Sequence, residues 1–286
     1  VIVAKRVGKG IRRLFRGAEG YMVLVGISIL LIFLFMAILA PFLSPYDPTA
    51  VNTEASFQPP SSEHLMGTDK LGKDMFSRFI WGTRTALAIS ALSALLALVV
   101  GVPTGLFSGF IGGKVDRVMS MFMDALYAFP GLILAMAVAT MLGYGVINVA
   151  VALAVIYAPT YFRVIRNQVL SVREQLYVEA ARALGTRDSS ILGRYILPNV
   201  IPSIVVILSL CIADAILTAA GLSFIGVGIS PEIPDWGYDI SKGVVYLRRA
   251  WWTVAFPGLA IVLIVVGFSL LGEGLDEIIN PKLAER

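Results

Sequence analysis

Along this chain, long apolar runs alternate with short polar connections. Runs with no charge or a single acid cover Tyr21–Leu43, Thr85–Phe107, Val146–Phe162, Asn199–Leu222 and Trp251–Leu271, and a further run, Arg117–Leu142, opens on a base. Each has the length a helix needs to cross a hydrocarbon core of about 30 Å. The pattern predicts an all-α integral membrane protein with six transmembrane helices. Gly101, Pro103 and Gly105 in the second run fit a kink and close helix packing equally well.

Two polar stretches interrupt this rhythm. The first, residues 45–83, is a proline-punctuated loop, and backbone of that kind does not sit in lipid. The second runs from Arg163 to Pro198, RVIRNQVLSVREQLYVEAARALGTRDSSILGRYILP, and is the one long charged, helix-prone segment. Ser171 and Glu174 fit a capping box at a helix start. Good helix formers follow from Glu174 to Leu184, with Tyr177, Ala180, Ala181 and Leu184 on one face. Gly185 stands where a left-handed stop belongs, and Thr186 or Asp188 suits the cap of a second short helix through Tyr195. Asn199 and Pro202 open the next apolar run. The predicted element is a helix-turn-helix between the fourth and fifth spans. Its small residues, Ala180 and Ala181, let a partner surface approach closely.

Composition agrees: 57% of the 286 residues are hydrophobic and 15% are charged, where a soluble domain carries about a quarter charged. The distribution of positive charge sets orientation. With the basic segment 1–20 inside, sixteen Lys and Arg fall on the inner side and seven on the outer. The positive-inside rule therefore places both termini and the central polar segment in the cytoplasm. The first apolar run exceeds the roughly 7–15 residues of a signal-peptide core, so it reads as a retained span. A net charge of +4 is modest for a nucleic-acid binder. The lipid bilayer is the expected surroundings, and no nucleic acid is an expected partner.

The intramembrane acids come next. A carboxylate at a helix centre costs about 2.5–3.5 kcal/mol on insertion scales, so Asp124 and Asp214 face protein or water. They are candidate pathway or subunit-interface residues. Asp124 lies about two turns from the cytoplasmic end of its span, within reach of Arg117 as an alternative partner. A membrane aspartyl protease would need a YD…GxGD pattern, which is absent. His64, the single histidine, cannot by itself make a metal site, so it reads as a loop hydrogen-bonding residue. Cys211, in an apolar run, reads as a packing residue and excludes an intrachain disulfide. Trp236, Trp251, Trp252 and Tyr246 fit interfacial anchors. No inverted half-to-half repeat marks a secondary transporter. No GxxxxGK[ST] phosphate loop is present, so ATP hydrolysis must come from another subunit.

Several motifs then converge. Glu179-Ala180-Ala181, Gly185 and Ile196-Leu197-Pro198 resemble the EAA loop of binding-protein-dependent ABC importer permeases. Pro45-Tyr46-Asp47-Pro48, the stretch Pro60 to Asp69, Lys73-Asp74 and Ser77-Arg78 resemble the outer loop of the C-type subunit of dipeptide, oligopeptide and nickel importers. Gly221 to Gly228, Pro231, Trp236-Gly237, Trp251-Trp252, Pro257-Gly258 and the tail from Gly272 to Pro281 resemble the rest of that subunit. The likeness covers nearly the whole chain beyond the first twenty residues. There are departures. Asp276-Glu277 stands where relatives carry a basic residue followed by an acid, and Ala219 where many carry a carboxylate.

The resemblance implies a type I ABC importer permease fold with both termini cytoplasmic. Its parts are a basic segment 1–20, a first helix 21–44, an outer loop 45–83, a five-helix core 84–272 containing the coupling segment 167–198, and a tail 273–286. It implies no catalytic residue, no metal and no cofactor in this chain, with ATP and Mg bound by partner subunits. The implied partners are a second homologous permease subunit, two ATPase subunits and an extracytoplasmic substrate-binding protein. Glu179, Ala180, Ala181, Gly185, Leu197 and Pro198 would couple the ATPase to the membrane, moving Ser171–Tyr195 as one body. The implied cargo is a di- or oligopeptide, with a nickel chelate or oligosaccharide as the alternative. A channel or secondary transporter is the reading from a different class.

Overall fold

The computed structural model describes residues 18–279. The basic residues before Ala18 and the tail from Asn280, both invoked above, lie outside the described residues. The elements are α1 (Ala18–Ile38), α2 (Met75–Ile111), α3 (Gly113–Tyr127), α4 (Gly131–Leu142), α5 (Val146–Arg173), α6 (Leu176–Ala183), α7 (Asp188–Ile225), α8 (Trp236–Val244) and α9 (Trp252–Ile279). Among the described residues there is no strand, only an isolated bridge between Thr68 and Asp74.

Five helices are long and apolar enough to cross a membrane. The expected third span, 117–142, is instead two helices, α3 and α4, bent by 87°; counted as one broken span they make six. Pro130 explains the break. It has no N–H to donate, and its ring pushes Phe129 away from helical backbone angles. Pro103 has no such effect, because α2 runs through it unbroken.

The glycines around Pro103 serve packing. Gly101, Gly105 and Gly109 lie on one stripe of α2, and α5 comes down directly on it. A Cβ at Gly101 would sit 2.6 Å from the Ala158 carbonyl oxygen, one at Gly105 2.7 Å from that of Phe162, and one at Gly109 2.9 Å from that of Arg166. The two backbones therefore touch, as small-residue stripes allow in membrane helices. Around this seam lies the main core, with Ile89, Leu153, Tyr161, Ile165 and Val169 fully buried.

At the outer end, the 45–83 loop and α8 form a polar-lined cap. Asp74 caps α2, its carboxylate accepting from the Ser77 N–H at 2.7 Å, and its other oxygen lies 2.9 Å from His64 Nδ1. His64 thus takes the hydrogen-bonding role expected of it. Arg78, fully buried, donates from Nε to Asp239 at 2.8 Å and from Nη1 to the Pro48 carbonyl at 3.1 Å. Two of the expected interfacial tryptophans belong to this cap. Trp236 and Trp252 are buried and donate their indole N–H to the carbonyls of Phe79 and Thr68, both at 3.0 Å. A partner for the indole N–H and an apolar bed for the ring outcompete the bilayer interface. Only Trp251 of these three is half exposed.

The close seam sets one expectation. Gly105→Leu should fail to give a monodisperse permease in detergent, and Gly105→Ala should lower its melting temperature, since overpacking costs about 1–3 kcal/mol. Fluorescence-monitored gel filtration and thermal denaturation read both.

The cap sets another. Burial pushes the Asp235 carboxyl up to about 6 from its ordinary 3.8, against the pull of the Tyr238 N–H it caps. Folding therefore favours its protonated form. The cost of burying the ion is fully present above pH 6 and disappears as pH falls through that value toward 4, a swing of at most about 3 kcal/mol. The melting temperature should rise between pH 7.5 and 5, and Asp235→Asn should flatten that slope. An identical slope in the two proteins would sink the assignment.

Candidate functional site

The inner end of the fold is built from the charged central segment. The expected capping box does not form. Ser171 continues α5 to Arg173, and Gln175 in extended conformation precedes α6. Val169 and Val172 pack on the main core, and the helix of the fourth span runs about three turns beyond Phe162, to Arg173. Gly185 is the left-handed stop that its place predicted, with φ +75°. Its N–H reaches the Arg182 carbonyl at 3.0 Å and the Thr186 N–H reaches that of Ala181 at 3.1 Å, which closes the helix end. No heavy atom lies within 4 Å of where a Gly185 side chain would start.

No separate second helix ends at Tyr195. From Asp188 the backbone is helical to Ile225, through one wide turn at Leu192–Ile196 in which the Leu197 N–H reaches back to the Leu192 carbonyl. Pro198 follows directly, and the wide turn absorbs the backbone mismatch that a proline imposes. Leu197 and Pro198 are half-buried in the first turn beyond it. The fifth span therefore begins at Asp188, and Asn199 does not open it.

The face expected to hold Tyr177, Ala180, Ala181 and Leu184 is split. Val178 and Ala181 are buried against the core, whereas Glu179, Ala180 and Gly185 are exposed. Leu176 is 82% exposed and Leu184 86%. Glu179 forms no ion pair among the described residues. Arg182 lies instead over the Phe110 ring at 5.9 Å. Below, Arg173 Nη1 donates to the Gly109 carbonyl at 2.8 Å. Arg166 makes a two-point contact with Asp116, and that carboxylate also accepts from Ser108 at 2.6 Å. The elbow is thus tied to the end of the glycine seam.

The two intramembrane acids lie deeper. Asp124 pairs with Arg163 and not with Arg117: Nη2 is 2.7 Å and Nε 3.1 Å from the same carboxylate oxygen. The Arg163 guanidinium also lies 3.9 Å over the Tyr127 ring. Asp214 accepts from the Tyr157 hydroxyl at 2.7 Å, and that hydroxyl is 3.0 Å from the Thr218 oxygen. Asp124 and Asp214 are both exposed, while Tyr157 is buried on α5. The start of α4 lies against α5 and α7: Leu132 lies 3.8 Å from a Cβ placed at Gly221, and Ile156 3.8 Å from one at Gly131.

The contacts of Arg163, Tyr157 and Gly109 were not anticipated from the sequence. Arg163 ended an apolar run and was read as a border. Gly109 completes a spacing of four from Gly101 and Gly105, a signal visible in the sequence.

Residues 101–285 match the family model described as binding-protein-dependent transport system inner membrane component, and residues 21–60 match the N-terminal TM domain of oligopeptide transport permease C. The chain is 40% identical to the glutathione transport system permease protein GsiD of Pectobacterium atrosepticum, over 91% of this chain and 87% of that one. It is 36% identical to the dipeptide transport system permease protein DppC of Alkalihalophilus pseudofirmus, over 91% and 86%. It is 38% identical to the probable D,D-dipeptide transport system permease protein DdpC of Escherichia coli, over 89% and 85%. A solved structure of the MetNI methionine ABC transporter in inward-facing conformations superposes with a TM-score of 0.57, over 74% of this chain and 98% of that chain, at 20% identity. At that identity the likeness concerns the fold.

Proposed function

This chain belongs to the family of binding-protein-dependent transport system inner membrane components, and on that premise we propose how it is driven and what it carries. It is a multi-pass permease of an ABC importer, a transport component and not itself a catalyst. In our reading its cargo is a short peptide, in keeping with the names of the relatives, handed over at the outer cap by a substrate-binding protein. A second, homologous permease subunit completes the pathway. Two ATPase subunits bind ATP and Mg and supply the force.

One observation carries the drive mechanism. The helix α6 has apolar residues on opposite faces, and only one face is covered. Val178 and Ala181 bury against the chain, while Leu176, Ala180 and Leu184 stand open at the cytoplasmic end. A cytoplasmic helix that leaves two leucines more than four-fifths exposed is built to be covered by a protein. The ATPase takes that face, with Glu179 at its edge free to meet a residue of the partner. Because α5 and α7 continue from the elbow as helices, a shift of the elbow on ATPase closure re-angles both spans. This is a two-state element biased by nucleotide. Leu197, Pro198 and the wide turn before them form the flexible point of the lever.

Two substitutions test this. Leu184→Asp should leave the permease folded yet abolish co-purification of the ATPase; unchanged co-purification would overturn the docking surface. Gly185→Val should uncouple ATP hydrolysis from uptake in proteoliposomes, whereas Gly185→Asn, which tolerates the left-handed backbone, should keep most coupling. Peptide uptake by the chain alone under an ion gradient, without nucleotide, would replace the importer reading with a secondary transporter.

A further inference from the structure

Two ion pairs in this chain differ in one decisive respect. Arg78 and Asp239 are sealed in the outer cap, their side chains 1% and 6% exposed. Arg163 and Asp124 sit on an open surface, 40% and 56% exposed. Charged groups at span depth do not face lipid tails, so this surface meets water or protein. A sealed pair fixes structure, whereas an open pair can exchange partners.

The surroundings favour exchange. Arg163 is held from a second side by the Tyr127 ring at 3.9 Å, so the cation stays presented when its carboxylate leaves. Asp214, by contrast, takes one hydroxyl, that of Tyr157, and has no basic partner among the described residues. Tyr157 is eleven residues into α5 from its outer end at Val146, and Asp214 is eleven residues from the outer end of α7 at Ile225. Both therefore lie about 16 Å in from the outer ends of their helices. Arg163 is six residues further along α5, a rise of about 9 Å toward the cytoplasm. An unpaired carboxylate thus precedes an exchangeable guanidinium along the inward direction, next to the same α3–α4 bend.

We propose that these two groups form a bipolar selectivity stage for zwitterionic peptides. Asp214, oriented by Tyr157, receives the ammonium end, and Arg163 receives the carboxylate end in exchange for Asp124. Two or three residues in extended form span at most about 7–11 Å, comparable to the axial rise of about 9 Å from Tyr157, which holds Asp214, to Arg163. The stage rests on the reading of the chain as a peptide permease and names the chemistry that its pathway recognises: free termini of opposite charge. Arg163, Asp124 and Asp214 act here as specificity residues.

The test uses the complete transporter in proteoliposomes with saturating binding protein. Its substrates are four forms of one tripeptide that the binding protein is first verified to bind: unmodified, amino-acetylated, carboxy-amidated and doubly blocked. Maximal rates of ATP-driven uptake then report the permease step. In the wild-type complex the free carboxylate should be preferred over the amide and the free amine over the acetyl form. Arg163→Gln should lower the rate for the free carboxylate at least tenfold and erase the first preference alone, with Arg163→Lys restoring part of it. Asp214→Asn should erase the second preference alone. Should Arg163→Gln fail to assemble, Asp124→Asn frees the guanidinium without removing it and should sharpen the preference for the carboxylate. Equal slowing of all four forms, or no change in either preference, would overturn the stage and leave the importer standing. A wild-type complex that moves no peptide would overturn the peptide reading itself.

Discussion

Backbone contact between α2 and α5 is the constraint on which the rest of the structure depends. Three glycines on one stripe bring the second span against the carbonyls of Ala158, Phe162 and Arg166. At that distance neither helix can slide or roll without a clash. Association of membrane helices gains little from the hydrophobic effect, since lipid is as apolar as the helix surface, and close packing has to supply it. The seam makes one rigid unit from two spans and fixes which way α5 turns its side chains. Tyr157, Arg163 and Arg166 all project from that one helix.

The two ends of this rod are finished differently. The outer cap is dense with buried polar groups held by the His64–Asp74 contact, the Arg78–Asp239 pair and two indole N–H bonds, while the second Asp239 oxygen has no hydrogen-bond partner among the described residues. Burying such groups is costly unless each finds a partner, and once partnered they resist rearrangement. The inner end is tied by a few bonds from arginines to the seam and otherwise left open, with Leu176 and Leu184 in solvent. A stiff outer end and an open inner end suit a lever that is driven from the cytoplasm.

Much of this was legible in the sequence. The apolar runs gave most of the spans and Gly185 gave the helix stop, because each depends on composition or on one local conformation. What was lost depends on tertiary context. The capping box at Ser171 is a sound local signal overridden by Val169 and Val172 packing into the core. Pro103 and Pro130 look alike in sequence, yet only the second breaks its helix. Pro103 lies in a helix clamped by its neighbour, and Pro130 at a loosely covered bend. The tryptophans fitted a membrane belt until the fold supplied two of them with carbonyl partners. Arg163 was discounted because it borders an apolar run, although the helix continues through it and pairs it with Asp124.

On the proposed reading, the arrangement also ties specificity to drive. Arg163 lies on α5 between the Phe162 and Arg166 contacts of the seam, and the same helix runs on to Arg173, which grips the Gly109 carbonyl at the elbow. A displacement of α6 reaches Arg163 across the short link Glu174–Gln175 and then along α5. Asp124 belongs to α3, which the Asp116–Arg166 contact ties to α5 eight residues earlier, and it lies near the 87° bend into α4. Any tilt of α5 relative to α3 changes the Arg163–Asp124 separation directly. Coulomb attraction between exposed charges is weak and falls with distance, so a tilt of a few ångströms is enough to part them. The force that opens the pathway would thus also release the guanidinium at the step when a carboxylate has to pass.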